Sequence, residues 1–413
     1  MTPVKAVCIV VLTLGISSCT EKKPAGKMTD QELKVFANEL AHKYIIADGH
    51  VDLPEVMVEN HILADSAHRD FFIYATAGEF DYTLAKTGGL SAPFMSIYIP
   101  SYYQKQKDFG RAYADSLIDM VDGMVKLHPD KFALAANVRE VKENFKAGKI
   151  SLPKGMENGA PIGTDIKNLK HFYDRGIRYI TLTHSKNNQI CDSSTDTVKW
   201  NGLSPFGKTV VQEMNRLGIM VDISHVDDST FYQVMKLTKV PVIASHSACR
   251  YFSPNTRRDM TDDMIKQLGK NGGVMLVNFY TAFLDSATDH RQKMNDRLIE
   301  RAWKEKGLRK SDTLAKSIAA KIKAENPLPV VTVEKVADHI DRAVTLAGID
   351  HVGLGSDFDG VNGLLPQGLT DASMYPNLIY TLLKRGYTEA DIEKICSGNF
   401  LRVWKKVEER AGK

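Results

Sequence analysis

The chain has 413 residues, 43% of them hydrophobic and 25% charged, an ordinary globular balance in a chain long enough to bury a large core. Its 54 basic and 50 acidic residues leave a net charge of only +4, and no basic stripe with interleaved aromatics occurs, which argues against nucleic acid as a partner. The length suits two or three average domains or a single α/β barrel with insertions.

The first 19 residues read as an export signal. Lys5 supplies the positive start, residues 6–16 form an apolar run too short for an ordinary membrane span, and Ser17-Ser18-Cys19 follows. Ile16-Ser-Ser-Cys19 resembles a bacterial lipoprotein cleavage box, with Cys19 as the lipid-bearing residue. The chain is therefore expected to be exported and anchored on the periplasmic or cell-surface side of a bacterial membrane; the alternative is a plain secretory signal with an incidental Cys19. Residues 20–30 read as a polar tether and residues 31–413 as one domain. Beyond Cys8 and Cys19, the three cysteines Cys191, Cys249 and Cys396 are scattered and odd in number, so neither a disulfide framework nor a cysteine zinc site is expected.

Residues 28–42 have helical spacing (Leu33, Phe36, Leu40) and lead into an apolar strand that starts at Tyr44 and ends in His50-Val-Asp52. Two residues apart on a strand, His50 and Asp52 share a face, and an imidazole beside a carboxylate suits a divalent metal such as zinc. A second strand is predicted over 93–99, a long amphipathic helix over 109–127 and a short extra strand over 132–136. Residues 150–157 are predicted as the third barrel strand, in spite of Pro153 and Lys154, and end on Glu157. Further strands are expected near 178–184, ending on His184, near 218–225, ending on His225, and near 240–246, ending on His246. Two more lie near 272–279 and 351–357, the last ending on Asp357 within Gly355-Ser-Asp-Phe-Asp-Gly360.

Helical segments separate most of these strands, among them 206–217, 228–237 and 261–269, where Thr261-Asp-Asp-Met264 is a capping-box-like start. Residues 286–325 are charge-dense and helical, an insertion after the seventh strand with a solvated face. Near the end, Thr388-Glu-Ala-Asp391 caps one helix and residues 398–404 begin the closing one. Eight strands alternating with helices favour a closed (β/α)8 TIM-type barrel with insertions over an open doubly wound sheet. No glycine-rich dinucleotide fingerprint follows any strand.

In such a barrel the reactive groups belong at the C-terminal strand ends. His50, Asp52, Glu157, His225 and His246 give three imidazoles and two carboxylates, a set fit for two zinc ions or similar divalent metals. Glu157 is the candidate bridge, because it lies between the other groups in strand order. Each residue alone has a bland reading. A lone strand-end histidine is more often structural, Asp357 and Asp359 fit an Asx-turn pair, and Arg257-Arg258 fits a solvated charge run. Their recurrence at successive strand ends is what coincidence explains poorly.

Asp48-Gly-His-Val-Asp-Leu-Pro54, Leu182-Thr-His-Ser185, Asp222-Ile-Ser-His-Val226, Ser245-His-Ser247, Val277-Asn-Phe-Tyr280, His351-Val-Gly-Leu-Gly-Ser-Asp-Phe-Asp-Gly360 and Gly398-Asn-Phe-Leu-Arg-Val403 together resemble the membrane (renal) dipeptidase family. The resemblance runs from about Ile45 to Val407 in the same order. It implies a zinc metallopeptidase on an amidohydrolase-type barrel, with two zinc ions per chain. His50 and Asp52 would hold one metal, His225 and His246 the other, and Glu157 would bridge. His184 would stabilise the oxyanion and Asp357 would transfer protons. Arg258 would bind the substrate's terminal carboxylate, with adjacent Arg257 as the alternative. The implied activity is hydrolysis of dipeptides by a metal-bridging hydroxide, with tolerance of a C-terminal D-residue, in a chain whose family is commonly dimeric.

The sequence departs from the family pattern in a more polar third strand, in Asn158-Gly159 where Gly-Gly is usual, and in a longer 286–325 segment. Two competing readings remain. A deacetylase or cyclic-amide hydrolase would keep the metal site, although many of those bridge through a carboxylated lysine rather than a glutamate. A non-catalytic peptide-binding lipoprotein is the other, against which stands the filling of every catalytic position.

Overall fold

The computed structural model describes residue 26 and residues 28–62, 66–74 and 78–412. The expected signal, Cys19 and most of the tether lie outside the described residues. Among the described residues ten strands form: β1 Ile46–Val51, β2 Leu90–Tyr98, β3 Phe132–Leu134, β4 Ile150–Leu152, β5 Lys154–Glu157, β6 Ile177–Thr181, β7 Met220–Asp222, β8 Ile243–Ser247, β9 Val274–Val277 and β10 Val352–Leu354. Eight of them close into a barrel in the order β1-β10-β9-β8-β7-β6-β5-β2, every neighbouring pair parallel, with helices between strands. This is the (β/α)8 architecture predicted from the sequence.

One expected strand is corrected. Residues 150–157 do not run as a single strand but divide at Pro153. β4 pairs with β3 in a separate two-stranded parallel sheet, while β5 enters the barrel between β2 and β6. Proline has no N–H to give to a ladder, so the break falls where pairing is impossible on one side. Its carbonyl still accepts from Met95 N at 2.8 Å. Lys154, the other polar oddity, is buried with its Nζ 2.6 Å from Asp122 on the helix Arg111–Leu127, and burial lowers its pKa. A buried cation is tolerated there because it is paired.

Strand ends are also shorter than periodicity alone suggests. β6 stops at Thr181 and β7 at Asp222, so His184 and His225 sit on the loops just beyond. Asn158 follows Glu157 in the left-handed region, at φ +75. Glycine is the usual occupant of such a position, and asparagine is among the residues that tolerate it best. The Asn158 side chain is well used: Nδ2 donates to Ile99 O at 2.8 Å, and Oδ1 accepts from Asn188 Nδ2 at 3.0 Å.

Large rings fill the barrel axis. Phe94 meets Tyr179, Phe400 and Trp404 at ring-centroid distances of 5.4, 4.9 and 5.1 Å. Small residues make room for them, as close packing requires. Ala47 and Ala92 line the same cluster, and a Cβ on Gly155 would lie 2.0 Å from Tyr179 Cζ. The closing helix Asn399–Arg410 contributes Phe400 and Trp404, which pack with Ile45 and Val240 at the strand starts and so plug the end opposite the loops.

The expected cap at Thr388 forms in full and the one at Thr261 in part, and a further box forms at Thr29. Thr29 and Glu32 form a capping box on the helix Asp30–Lys43, and Thr388 and Asp391 form one on Glu389–Glu393. Thr261 caps Asp262–Asn271 through Met264 N, but without the reciprocal bond, since Met264 has no acceptor to return. The charged segment after β9 folds as two largely exposed helices, Ser286–Glu305 and Thr313–Glu325, tied by Trp303 Nε1 donating to Ala315 O at 2.9 Å. Among the described residues no helix is long and apolar enough to cross a membrane.

Candidate active site

The C-terminal ends of the barrel strands bring together the residues that the sequence singled out. His50 belongs to β1 and Asp52 follows it, Glu157 ends β5, and His246 lies in β8. His184, His225 and Asp357 each stand three residues beyond a strand, on β6, β7 and β10 respectively. His225 and Asp357 hold the left-handed backbone, at φ +68 and +66, which bends each side chain away from the continuing strand direction. Such non-glycine conformations are strained and persist only where the surroundings enforce them.

Glu157 is the hub. Its Oε2 lies 3.3 Å from His50 Nε2, while Oε1 lies 3.1 Å from His225 Nε2 and 3.4 Å from His246 Nε2. His50 Nε2 is also 3.4 Å from Asp52 Oδ2, and the Nε2 atoms of His225 and His246 are 2.9 Å apart. The two carboxylate oxygens thus face two ligand groups, His50 with Asp52 and His225 with His246. In each group the candidate ligand atoms, Glu157 included, lie within 4.8 Å of one another.

Electrostatics fit a cation here. Burial opposes charge on Glu157, yet the surrounding imidazoles hold its carboxyl well below the usual range. Burial and the neighbouring Arg258 push His225 well down, and burial with His50 and Arg258 does the same to His246, so both rings are neutral. Burial also acts to lower His50, but Tyr179 and the carboxylates of Asp52 and Glu157 raise it well above its ordinary value. A proton on that nitrogen and a divalent cation compete for one place. Glu55, one turn beyond Asp52, is pushed up to about 9 by burial and by the charges of Asp52 and Glu157. His50 Nε2 and Asp52 Oδ1 are buried without a hydrogen-bond partner. Buried polar atoms are normally satisfied, and the chemistry missing from this donor set is a divalent ion with nitrogen and oxygen ligands.

Around this cluster stand the other expected groups. Burial and the charges of Asp52 and Glu157 raise Asp357 to about 7. Its Oδ2 accepts from Asn278 Nδ2 at 2.9 Å. His184 lies 3.6 Å from Glu157 by its Nε2, with Nδ1 buried and unpartnered, and burial lowers its pKa. Arg258 is buried, its Nη1 donating to Ser247 Oγ at 2.8 Å and Nη2 to His246 O at 2.6 Å, while Nε has no partner. Arg257 is exposed, so of the two arginines only Arg258 is built into the site.

Several residues at the site had no role in the sequence reading. Asn278 lies within the Val277-Asn-Phe-Tyr280 segment, just past β9, and its position at a seventh strand end was the available signal. Tyr98 stacks edge-on against His184 at 4.8 Å. Asp48 binds β1 to the β10 loop, accepting from His50 N at 2.9 Å and Ser356 N at 3.0 Å. Tyr179, Asp222 and Ser245 lie behind the histidines; Asp222 and Ser245 open two of the quoted motifs, whereas no local pattern announces Tyr179.

Residues 34–413 match the family described as membrane dipeptidase, peptidase family M19. Over 407 aligned residues the chain is 31% identical to dipeptidase ataJ of Aspergillus terreus, covering 91% of this chain and 88% of that protein. The probable dipeptidase PvdM from Pseudomonas aeruginosa superposes with a TM-score of 0.78 at 27% identity, covering 92% of this chain and 100% of that one. A metallopeptidase from Rhodobacter sphaeroides, solved with a phosphinate mimic of the dipeptide L-Ala-D-Ala, shares the fold with a TM-score of 0.71 at 24% identity, over 88% of this chain and 99% of that one. Matched over nearly the whole barrel and along most of a relative's length, the chain belongs to the membrane dipeptidase family of metallopeptidases.

Proposed function

We propose that this protein is a zinc-dependent dipeptidase that cleaves short peptides with a free C-terminus. The observation that carries the reading is the two-sided carboxylate of Glu157, each oxygen turned to a separate group of ligand side chains. His50 and Asp52 would hold one zinc ion, His225 and His246 the second, and Glu157 both. When bound, such a pair supplies an activated water near neutral pH and Lewis-acid polarisation of the scissile carbonyl.

The remaining work falls to side chains. Asn278 occupies Oδ2 of Asp357, which leaves Oδ1 to accept the proton of the attacking water. Asp357 then returns that proton to the departing nitrogen, which leaves as an amine only if protonated. Burial and the neighbouring carboxylates raise the Asp357 carboxyl, which favours a group that both takes up and releases a proton. His184, neutral and inside the cleft, donates to the oxygen that gains charge, a contribution typically of about 3 kcal/mol. Arg258 pairs with the terminal carboxylate, which restricts the substrate to short peptides ending there. A guanidinium reads that charge and not the configuration of the carbon bearing it, so a C-terminal D-residue is part of the proposal. The signal segment and Cys19 support an exported enzyme held to a membrane by lipid.

Hydrolysis of a dipeptide panel, L-L and L-D, by the zinc-loaded protein and by Asp357→Asn tests this. Turnover that disappears on chelation, returns with zinc and is absent from the variant is expected. Two bound zinc ions with no turnover of any dipeptide would instead favour a deacetylase or cyclic-amide hydrolase. Full activity after metal removal would refute the metal-dependent mechanism.

A further inference from the structure

The two deepest imidazoles at the site, His50 and His246, stack with centroids 3.9 Å apart and are closed off from solvent. Each turns Nε2 toward Glu157, and each has its Nδ1 against a hydroxyl. Tyr179 OH is 2.8 Å from His50 Nδ1 and 2.9 Å from Gly49 O. A phenol has one proton, and a carbonyl can only accept. If Tyr179 donated to Nδ1, two oxygens would face each other at hydrogen-bond distance with no proton between them. Both contacts are satisfied in one arrangement only, His50 Nδ1–H to Tyr179 and Tyr179 O–H to Gly49.

The same logic holds at His246 with different parts. Ser245 Oγ lies 2.7 Å from His246 Nδ1 and 2.6 Å from Asp222 Oδ2. Asp222 is a buried carboxylate surrounded by donors: Ser245 N at 2.8 Å and Ser224 N at 3.1 Å on Oδ1, and Thr181 Oγ1 at 2.5 Å on Oδ2. It can only accept, so the Ser245 proton points to it, and Ser245 must accept from His246 Nδ1–H.

We infer that Tyr179 and the Asp222–Ser245 pair are positioning residues that lock His50 and His246 in the Nδ1–H tautomer and so present both Nε2 lone pairs to the metal ions. The inference rests on the dipeptidase reading of the site. It assigns a purpose to features the catalytic account leaves idle: a tyrosine spanning the barrel interior from β6 to β1, the glycine at 155 that admits its ring, and the aspartate at the end of β7. The arrangement is also unequal. His246 is linked through one hydroxyl to a carboxylate, whereas His50 is held by a neutral phenol, so the two metal positions differ in the basicity of their ligands.

The test is zinc affinity, not turnover. The metal-stripped full-length protein is titrated with zinc against a chromophoric chelator, alongside Tyr179→Phe, Ser245→Ala, Ser245→Thr and Asp222→Asn. Cobalt substitution gives the ligand-field spectrum of each position. Tyr179→Phe and Ser245→Ala should each weaken one of the two sites by about 10–100-fold, the range for lost outer-shell partners. Ser245→Thr, which keeps the hydroxyl, should restore wild-type affinity, and melting of the metal-free variants shows that they fold. If Asp222→Asn fails to fold, Ser245→Ala carries the same question. Wild-type zinc binding with unaltered affinities and cobalt spectra in Tyr179→Phe and Ser245→Ala overturns this inference alone. A wild-type chain that takes up no zinc overturns the metal reading and this inference with it.

Discussion

Arg258→Ala should abolish the discrimination between a dipeptide and its C-terminal amide. The guanidinium has five N–H donors. Two are committed, Nη1 to Ser247 Oγ at 2.8 Å and Nη2 to His246 O at 2.6 Å, and Nε is buried without a partner. Three donors therefore remain for a ligand, enough for a two-point pairing with a carboxylate. Charge-assisted bonds of this kind are worth about 2–3 kcal/mol together after desolvation, which is about 30- to 140-fold in kcat/KM. The assay is kcat/KM for one dipeptide and for its amide, in the wild type, Arg258→Ala, Arg258→Lys and Arg257→Ala. Wild type should favour the free acid by the factor above, and Arg258→Ala should treat the two alike. Arg258→Lys keeps the charge but loses the fork, so it should fall between them. Arg257→Ala should behave as wild type, because that side chain is exposed. Since Arg258 also braces the His246 carbonyl, zinc content is measured for each variant. Undiminished preference for the free acid in a zinc-replete Arg258→Ala protein would refute the carboxylate anchor.

Asn278→Ala removes the amide that holds Asp357 Oδ2 and favours its ionised form, so the carboxyl should rise further. Its deprotonated state is needed to accept a proton, and the acid limb of the kcat profile should move to higher pH, with kcat down about tenfold. An unmoved acid limb would separate Asn278 from Asp357 chemistry. Asp359 is raised to about 8, chiefly by burial and by the nearby charge of Glu79. A carboxyl raised on folding contributes stability that is full below its unfolded pKa and is lost as pH rises through the folded one. Metal-free Asp359→Asn should therefore match wild type in urea unfolding near pH 4 and exceed it near pH 9; equal curves at both would refute the shift. Cys19→Ala should abolish incorporation of a labelled fatty acid and release the protein from the membrane fraction, and retained label would place any lipid elsewhere.

The candidate site residues were legible in the sequence because a barrel strand does two local things at once. It declares itself by an apolar run, and it ends where the reactive groups must stand. His50, Asp52, Glu157, His225, His246 and Asp357 all lie at or within three residues of such an end. The capping box at Thr388 was legible for the same reason, as its partners are three residues apart. The division of residues 150–157 at Pro153 was not, because the pattern shows apolar residues on both sides of the break. It does not show that the first half pairs with β3 and the second with β2 and β6.

What only the tertiary structure decided is set by contacts across the barrel. Tyr179 reaches His50 from 129 positions away, Asn278 holds Asp357 across 79, and the choice of Arg258 over Arg257 depends on which side chain the loop after β8 turns inward. The sequence by itself determined where most of the strands lie and which chemical groups they carry to one mouth, since both follow from periodicity and position along the chain. The facing of Glu157's two oxygens, the tautomers of the histidines and the free donors of Arg258 required the closed barrel, because each depends on the distance between residues that the chain alone leaves far apart.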